Sequence, residues 1–439
     1  MTAPEHLTIS GPEDILGYIP HSLGYWPSQS LVAMTMQGKR LGATLRVDLP
    51  EGGGRRGREQ FARTVAEYLL ADKEADGTLL VFFAGDGFDN AGSEETAARS
   101  FRPLLADLEC ALGLSGMPVR DAWLVGEEYW RNVYCTDSSC CPPPGRPVTE
   151  IRDSRLNAEM VYLGSSVGAP PGAAAPGSVD TPAADDAAVI AAERDWTRAL
   201  VGKGTLRAQL DAVLDAWEAA LQPLPPEAGP PGGGPLEAGP HEVGPLVAVP
   251  GGGLEPELAG FLRASLRVPA WRDAVLVMAA AGRAAAAAGA EAFGIFSAGT
   301  GLPVSRPPLP EQHPAAGSPG RPAASGCDPE ALPGYGEVLL GLSPRVPDWE
   351  ALKRLEALMR ELSSCGGGEA RAAALTASGW IEWCRGRGSF AHASLTRALE
   401  ASPGYRLAEL LSEVVRRGTI CGWAGRREAA WQKFGSDAA

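Results

Sequence analysis

Three cysteines stand within seven residues, in the run Cys135-Thr-Asp-Ser-Ser-Cys140-Cys141. Thiols bind metal ions such as Zn²⁺, but a closed zinc site takes four N or S ligands and this run supplies three. His21 could complete such a site only through the fold. A second interpretation is a redox-active or nucleophilic thiolate, whose pKa a neighbouring cation such as Arg131 or Arg146 would lower. A third is a tight turn whose thiols pack beneath the prolines that follow.

A base, a hydroxyl and a carboxylate also occur near the N-terminus, at His21, Ser30 and Asp48. These are the residue types of a hydrolase triad, but no Gly-x-Ser-x-Gly elbow surrounds Ser30. Arg46 and Asp48 alternate with apolar residues, so we expect both side chains on one face of a strand, within reach of each other. An exposed ion pair and a ligand-facing pair are both open interpretations. The ligand-binding candidates are therefore His21, Ser30, Arg46, Asp48 and Arg131.

The apolar pattern predicts the elements that must position these side chains. It indicates a strand hairpin at 30–36 and 40–49, a helix at 59–70, a buried strand at 78–84, a helix at 94–112, and strands at 119–125 and 129–134. The order β-β-α-β-α-β-β predicts an α/β domain, an α+β sandwich, over residues 1–165.

The rest of the chain predicts a mainly helical region with disordered Pro/Gly-rich linkers. Linkers or low-complexity segments are expected at 166–190, 222–256 and 301–333, because Pro, Gly and Ala bury too little apolar surface there. Trp423 and Trp431, in a short basic tail, are interface candidates. Helical segments are expected at 191–221, 257–300 and 334–439, the last with helices at 349–362, 370–383, 389–400 and 405–415.

Two blocks of the sequence resemble a known family. The first block is Pro20-His21-x-Leu23-Gly24-Tyr25-x-Pro27-x-x-Ser30-Leu31 with Arg46-Val-Asp48-Leu-Pro50, and the second is Cys135-x4-Cys140-Cys141-Pro142-x-x-Gly145. Together they resemble the actinobacterial domain-of-unknown-function family numbered 4192. The resemblance singles out Arg46 and Asp48 but implies no established activity.

Composition disfavours several classes of protein. The net charge of −14 over 439 residues argues against nonspecific binding of nucleic acid or anionic membranes. The N-terminus lacks the features of a secretory signal, and Arg283 interrupts the Ala-rich stretch 274–293, so we expect a cytoplasmic protein without a membrane span. The leading hypothesis is a non-catalytic binding or regulatory protein for an unknown small molecule or protein partner. The alternative is a thiol- or metal-dependent enzyme at Cys135, Cys140 and Cys141, and the sequence specifies no cofactor.

Overall fold

The computed structural model describes residues 9–50, 54–84, 94–172, 184–201, 205–222, 254–296, 304–309 and 332–432, with side chains from residue 101 in the third stretch and from 186 in the fourth. The chain divides into two units. Among the described residues, the first unit comprises those within 9–172 and the second those within 184–432.

One six-stranded sheet organises the first unit. Its strands are β1 (Ser30–Gln37), β2 (Arg40–Asp48), β3 (Gly77–Phe83), β4 (Val119–Val125), β5 (Tyr129–Asn132) and β6 (Arg146–Pro147), and its helices are α1 (Pro12–Leu23), α2 (Gly54–Leu69), α3 (Glu94–Leu114), α4 (Thr149–Arg152) and α5 (Arg155–Tyr162). The strand order is β2-β1-β3-β4-β5-β6. β3 and β4 pair in parallel, and the other neighbours pair antiparallel.

Helices cover both faces of this sheet. Successive side chains of a strand point to opposite faces. In β1, Leu31 and Ala33 pack with α2 and α3, whereas Val32 and Met34 pack with α1. Because both faces are buried, β1 and β3 are apolar almost without interruption.

The predicted α/β architecture is confirmed, with the expected hairpin, buried strands and intervening helices in the predicted order. The apolar pattern predicts no element at residues 12–23, where the structure has α1. Two features obscure this helix in the sequence, because Pro20 and Gly17 interrupt its apolar pattern. Gly17 is required by packing: a Cβ there would lie 2.8 Å from Ser154 Oγ.

The second unit is helical among its described residues, as predicted. Two predicted helices are divided in the structure. The segment 191–221 lies in two helices, Ala184–Leu200 and Arg207–Leu221. The Ala-rich stretch also lies in two helices, Pro269–Ala281 and Arg283–Ala292, which are separated by Gly282 at a φ of 87°. The helices are α6 (Ala184–Leu200), α7 (Arg207–Leu221), α8 (Pro256–Leu266), α9 (Pro269–Ala281), α10 (Arg283–Ala292), α11 (Tyr335–Leu339), α12 (Trp349–Ser364), α13 (Gly368–Cys384), α14 (Gly388–Ala401) and α15 (Arg406–Arg416).

The prediction that Trp423 lies at an interface is wrong. Trp423 is fully buried in the second unit, where its ring meets those of Trp349 and Trp380 edge to face and its indole N–H donates to the Pro344 carbonyl at 2.8 Å. Trp431 is half-buried, beneath the guanidinium of Arg385.

Most of the predicted linker sequence falls at 173–183, 223–253 and 310–331, outside the described residues. The segment expected to be a linker at 166–190 ends inside α6, which begins at Ala184. No helix in the described part of the chain combines the length and apolar character needed to cross a membrane.

Candidate functional site: a three-thiol loop

The three clustered cysteines lie in the connection between β5 and β6. Asn132, the last residue of β5, fixes the start of this loop: its side-chain oxygen accepts hydrogen bonds from the backbone N–H groups of Tyr134 at 2.9 Å and Cys135 at 3.1 Å. The amide group of Asn132 donates in turn to the carboxylate of Asp121 on β4 at 2.6 Å. The sheet thereby orients the backbone that carries the first thiol.

The loop is tied to a helix as well as to the sheet. The Tyr134 hydroxyl donates to the carboxylate of Glu109 on α3 at 2.5 Å. Partial burial, followed by this hydrogen bond to a carboxylate, raises the pKa of Tyr134. The phenol therefore stays a neutral donor at physiological pH, and the start of the loop keeps two independent anchors.

A turn at Asp137 brings the chain back toward Cys135. The carboxylate of Asp137 accepts from the N–H of Ser139 at 2.8 Å and from its hydroxyl at 2.7 Å. The Asp137 carbonyl accepts from the N–H groups of Cys140 at 3.2 Å and Cys141 at 2.8 Å. Aspartate commonly stabilises a turn by bonding to the backbone two residues on, and this turn places both later thiols beside the first.

The three sulfur atoms converge. The Sγ atoms of Cys135, Cys140 and Cys141 all lie within 4.8 Å of one another. Tetrahedral zinc with Zn–S bonds of about 2.3 Å sets its sulfurs about 3.8 Å apart, so shifts of about 1 Å or less would close the three around one ion. Cys141 is buried, Cys135 is half-buried and Cys140 is exposed, so the cluster opens to solvent on one side.

The thiols differ in acidity. A backbone hydrogen bond at Asp137, and then hydrogen bonds with Cys141 and Cys140, lower the pKa of Cys135. Hydrogen bonds with Cys135 and Cys141 raise the pKa of Cys140 to about 11. Arg146, predicted as a cationic neighbour, instead pairs with Glu150 at 2.7 Å and lies over the Trp130 ring.

Ser30, Arg46 and Asp48 form a second group at the other side of the sheet. Asp48 lies opposite Ser30, and Arg46 lies opposite Val32, so all three share the face covered by α1. As expected, Arg46 and Asp48 are in contact, with an ion pair of 2.6 Å. The Ser30 hydroxyl is fully buried and has no hydrogen-bond partner among the described residues.

His21 is a buried link between helices. Its Nε2 lies 2.7 Å from Asn157 Oδ1, and its Nδ1 lies 2.9 Å from Ser165 Oγ. Because the Asn157 amide group donates to the Arg152 carbonyl at 2.6 Å, the Asn157 oxygen faces His21 and accepts from Nε2–H. Nδ1 is then the acceptor for the Ser165 hydroxyl, so the ring joins α1 to α5 and the residues that follow it.

The structure does not bring these candidates into one pocket. β2, which carries Arg46 and Asp48, and β5, which leads into the thiol loop, are four strand spacings or about 19 Å apart. Arg131 pairs with Leu124, which places its side chain on the sheet face covered by α2 and α3. The thiol cluster is therefore separate from Arg46 and Asp48.

Comparison with known proteins gives the family. Residues 12–292 and 347–420 match the model of a family described as Domain of unknown function (DUF4192). The chain belongs to the DUF4192 family. This match confirms the resemblance seen in the sequence and covers the three-thiol loop, the β1–β2 hairpin and most helices of both units. No curated protein and no solved structure matches the chain.

The thiols can be predicted from the sequence of this DUF4192 chain, but the residues that position them cannot. Asp121, Asn132, Tyr134 and Glu109 act through contacts between different elements, which spacing along the chain does not reveal. Asp137 had a detectable signal, since Asp followed by two serines is typical of a side-chain-stabilised turn.

Proposed function

We propose that this protein is a non-catalytic binding protein whose first unit takes up a thiophilic divalent metal ion, such as Zn²⁺, at Cys135, Cys140 and Cys141. The observation that carries the proposal is the convergence of the three sulfurs within 4.8 Å. Soft thiolate ligands favour zinc, copper(I) and iron over harder cations such as magnesium.

The contacts around the loop support binding at a preformed site. Hydrogen bonds to the Asn132 side chain and to the Asp137 carbonyl order the backbone before and between the thiols. Outer residues that orient the ligands of a metal commonly contribute tenfold to a hundredfold to its affinity. The reducing interior of a cell would keep the sulfurs as thiols, so the cytoplasmic location predicted from the sequence is part of the proposal.

The positions of the acid–base candidates support a non-catalytic role. His21 uses both ring nitrogens in contacts that join helices, and Arg46 and Asp48 pair with each other at the opposite side of the sheet. A general base must lie within about 3 Å of the proton it removes, or one water further away. Arg46 and Asp48 lie on β2, four strands away from β5, and His21 is not among the side chains that converge with the three thiols.

The test is the metal content of the full chain, purified under reducing conditions and measured by elemental mass spectrometry. We expect close to one zinc ion per chain, and a loss of at least tenfold in occupancy in Cys140→Ser. The matched control is Cys110→Ser, which removes an exposed thiol from the same unit outside the cluster and should retain the metal. Equal occupancy in the two variants, or no uptake after incubation with Zn²⁺, would overturn the proposal.

A metal-dependent enzyme is the second candidate, and the exposure of Cys140 favours it. Catalytic zinc sites commonly use three protein ligands and keep a fourth position for water or substrate. Cobalt(II)-loaded protein reports on that position through its visible spectrum. A spectral change on adding cyanide would support the enzyme candidate, and a spectrum unaffected by cyanide would rule it out in favour of a closed binding site.

A further inference from the structure

An open cavity of about 420 Å³ lies in the second unit, far along the chain from the thiol loop. α6, the end of α8 and the glycine-rich turn before α13 form its walls. The residues that matter for its chemistry are Arg194, Thr197, Arg198, Arg267, Gly366 and Gly367. Three of these six residues carry guanidinium groups, and the two glycines expose backbone. The wall also includes the carboxylate of Glu193, which accepts a hydrogen bond from Arg263.

A buried arginine lies directly behind the wall of this cavity. Arg263 is fully buried; its Nε donates to Glu193 at 2.6 Å, and one terminal nitrogen donates to the Leu362 carbonyl. The other terminal nitrogen, Nη2, has no hydrogen-bond partner in the described part of the chain. This nitrogen faces Gly366, since a Cβ on that residue would lie 3.2 Å from it. A buried donor without an acceptor marks a place where an acceptor is missing.

Among the described residues, the exposed arginines of the cavity have weak ion pairs or none. Arg194 has no ion pair with any residue that the structure describes. Arg198 pairs with Asp195, and both side chains are largely exposed. Arg267 reaches Thr197 and Glu369 through contacts of 3.3 Å, near the upper limit for a hydrogen bond. Exposed pairs of this kind contribute little and exchange readily for a stronger anion.

Backbone donors complete the lining. α13 begins at Gly368 with Gly367 as its N-cap, and no side chain caps the first N–H groups. The first turn of a helix directs unpaired N–H groups and a partial positive charge outward, which favours anions. With no side chains at 366–368, a ligand can approach this backbone closely.

We propose that this cavity binds the phosphate group of a small molecule, with Arg194, Arg198 and Arg267 as direct contacts and Arg263 as the buried donor behind Gly366. Planar guanidinium groups and helix N-termini both suit phosphate geometry. The charge of the ligand favours phosphate over carboxylate. Arg198 and Arg267 already pair with the carboxylates of Asp195 and Glu369, each of which carries one negative charge. A phosphate carries nearly two negative charges at neutral pH and displaces them.

The experiment is isothermal titration calorimetry of the full chain, passed over a chelating resin, with inorganic phosphate and pyrophosphate as probes. We expect saturable binding of one pyrophosphate per chain, and about tenfold weaker binding in Arg194→Ala. This variant removes no ion pair among the described residues, so the fold should be retained, as circular dichroism can check.

The matched control is Arg406→Ala, which removes an equally exposed arginine from α15 of the same unit. Its affinity for pyrophosphate should equal that of the wild type. Equally weakened binding of pyrophosphate in Arg194→Ala and Arg406→Ala would show a general effect of net charge and would overturn the proposed site. Lack of saturable binding at millimolar pyrophosphate would overturn it as well. Neither result bears on the thiol cluster, whose test is metal content.

Discussion

The side-chain oxygen of Asn132 accepts a hydrogen bond from the backbone N–H of Cys135 at 3.1 Å, and so the end of β5 is joined directly to the residue that carries the first thiol of the loop. The same amide group is held by Asp121 on β4. The position of Cys135 is therefore set by the sheet, whereas Cys140 and Cys141 are set by the Asp137 turn. The cluster forms where these two local structures meet.

Removing the Asn132 side chain should weaken metal binding with all three thiols still present. We expect Asn132→Ala to lower zinc affinity by about tenfold to a hundredfold, because the ligand-bearing loop loses an orienting contact. Competition with a chromophoric chelator measures the affinity. Asn157→Ala is the matched control: it removes an asparagine of the same unit that bonds His21 and should leave the affinity unchanged. Unchanged affinity in Asn132→Ala would remove Asn132 from the site.

Removing each of two buried hydroxyls of β1 should have a different effect on the free energy of unfolding. The Ser30 hydroxyl has no partner among the described residues, so Ser30→Ala should leave the free energy of unfolding unchanged or raise it by up to about 1 kcal/mol. The Thr35 hydroxyl donates to Asp72 at 2.5 Å and accepts from the Ala43 N–H at 2.7 Å. Thr35→Val removes both hydrogen bonds, leaves the Ala43 N–H with a longer contact of 3.4 Å to Asp72, and should cost about 1–3 kcal/mol. Urea denaturation measures both, and a loss above about 1 kcal/mol in Ser30→Ala would contradict the burial argument.

Replacing His21 should lower the free energy of unfolding and leave metal uptake unchanged. Replacing its ring with alanine removes two buried hydrogen bonds and leaves a cavity, so we expect a loss of about 2–4 kcal/mol from the free energy of unfolding. His21→Gln should restore part of this loss. Metal content per folded chain should equal that of the wild type in the glutamine variant. A fall in metal content there would show that His21 is a ligand.

The architecture of the first unit can be predicted from the sequence because its buried strands are rich in apolar residues. The run 79–84 is apolar along its whole length, and the segment 119–125 is apolar from Ala122 onward, as strands covered on both faces must be. The apolar pattern does not predict α1, because Pro20 interrupts that pattern. For Trp423, the basic neighbouring residues suggested a surface position, whereas the side chain is buried. The arginine cavity could not be predicted, because the fold brings together residues of α6, the end of α8 and the turn before α13.

A buried carboxylate makes the stability of the second unit depend on pH. Burial raises the pKa of Glu382 to about 7, against the opposing effect of Arg387 and with a further increase from Glu356. The folded state therefore binds more protons than the unfolded state between about pH 4.5 and 7, and the contribution of Glu382 to stability is lost as pH rises through that window.

The variant Glu382→Gln isolates this effect, because glutamine does not titrate. Relative to this variant, the wild type should lose up to about 3 kcal/mol of unfolding free energy between pH 4.5 and 8. Calorimetric unfolding of both proteins across this range gives the difference. A constant difference would mean that Glu382 is ionised throughout, with Arg385 and Arg387 outweighing burial.

The most direct test of the central claim is X-ray absorption at the zinc edge of zinc-loaded protein. The three-thiol loop predicts a first shell of three sulfur atoms at about 2.3 Å and one lighter atom, falling to two sulfurs in Cys140→Ser. A first shell made only of nitrogen and oxygen atoms, or one unaffected by the serine substitution, would contradict metal binding at Cys135, Cys140 and Cys141.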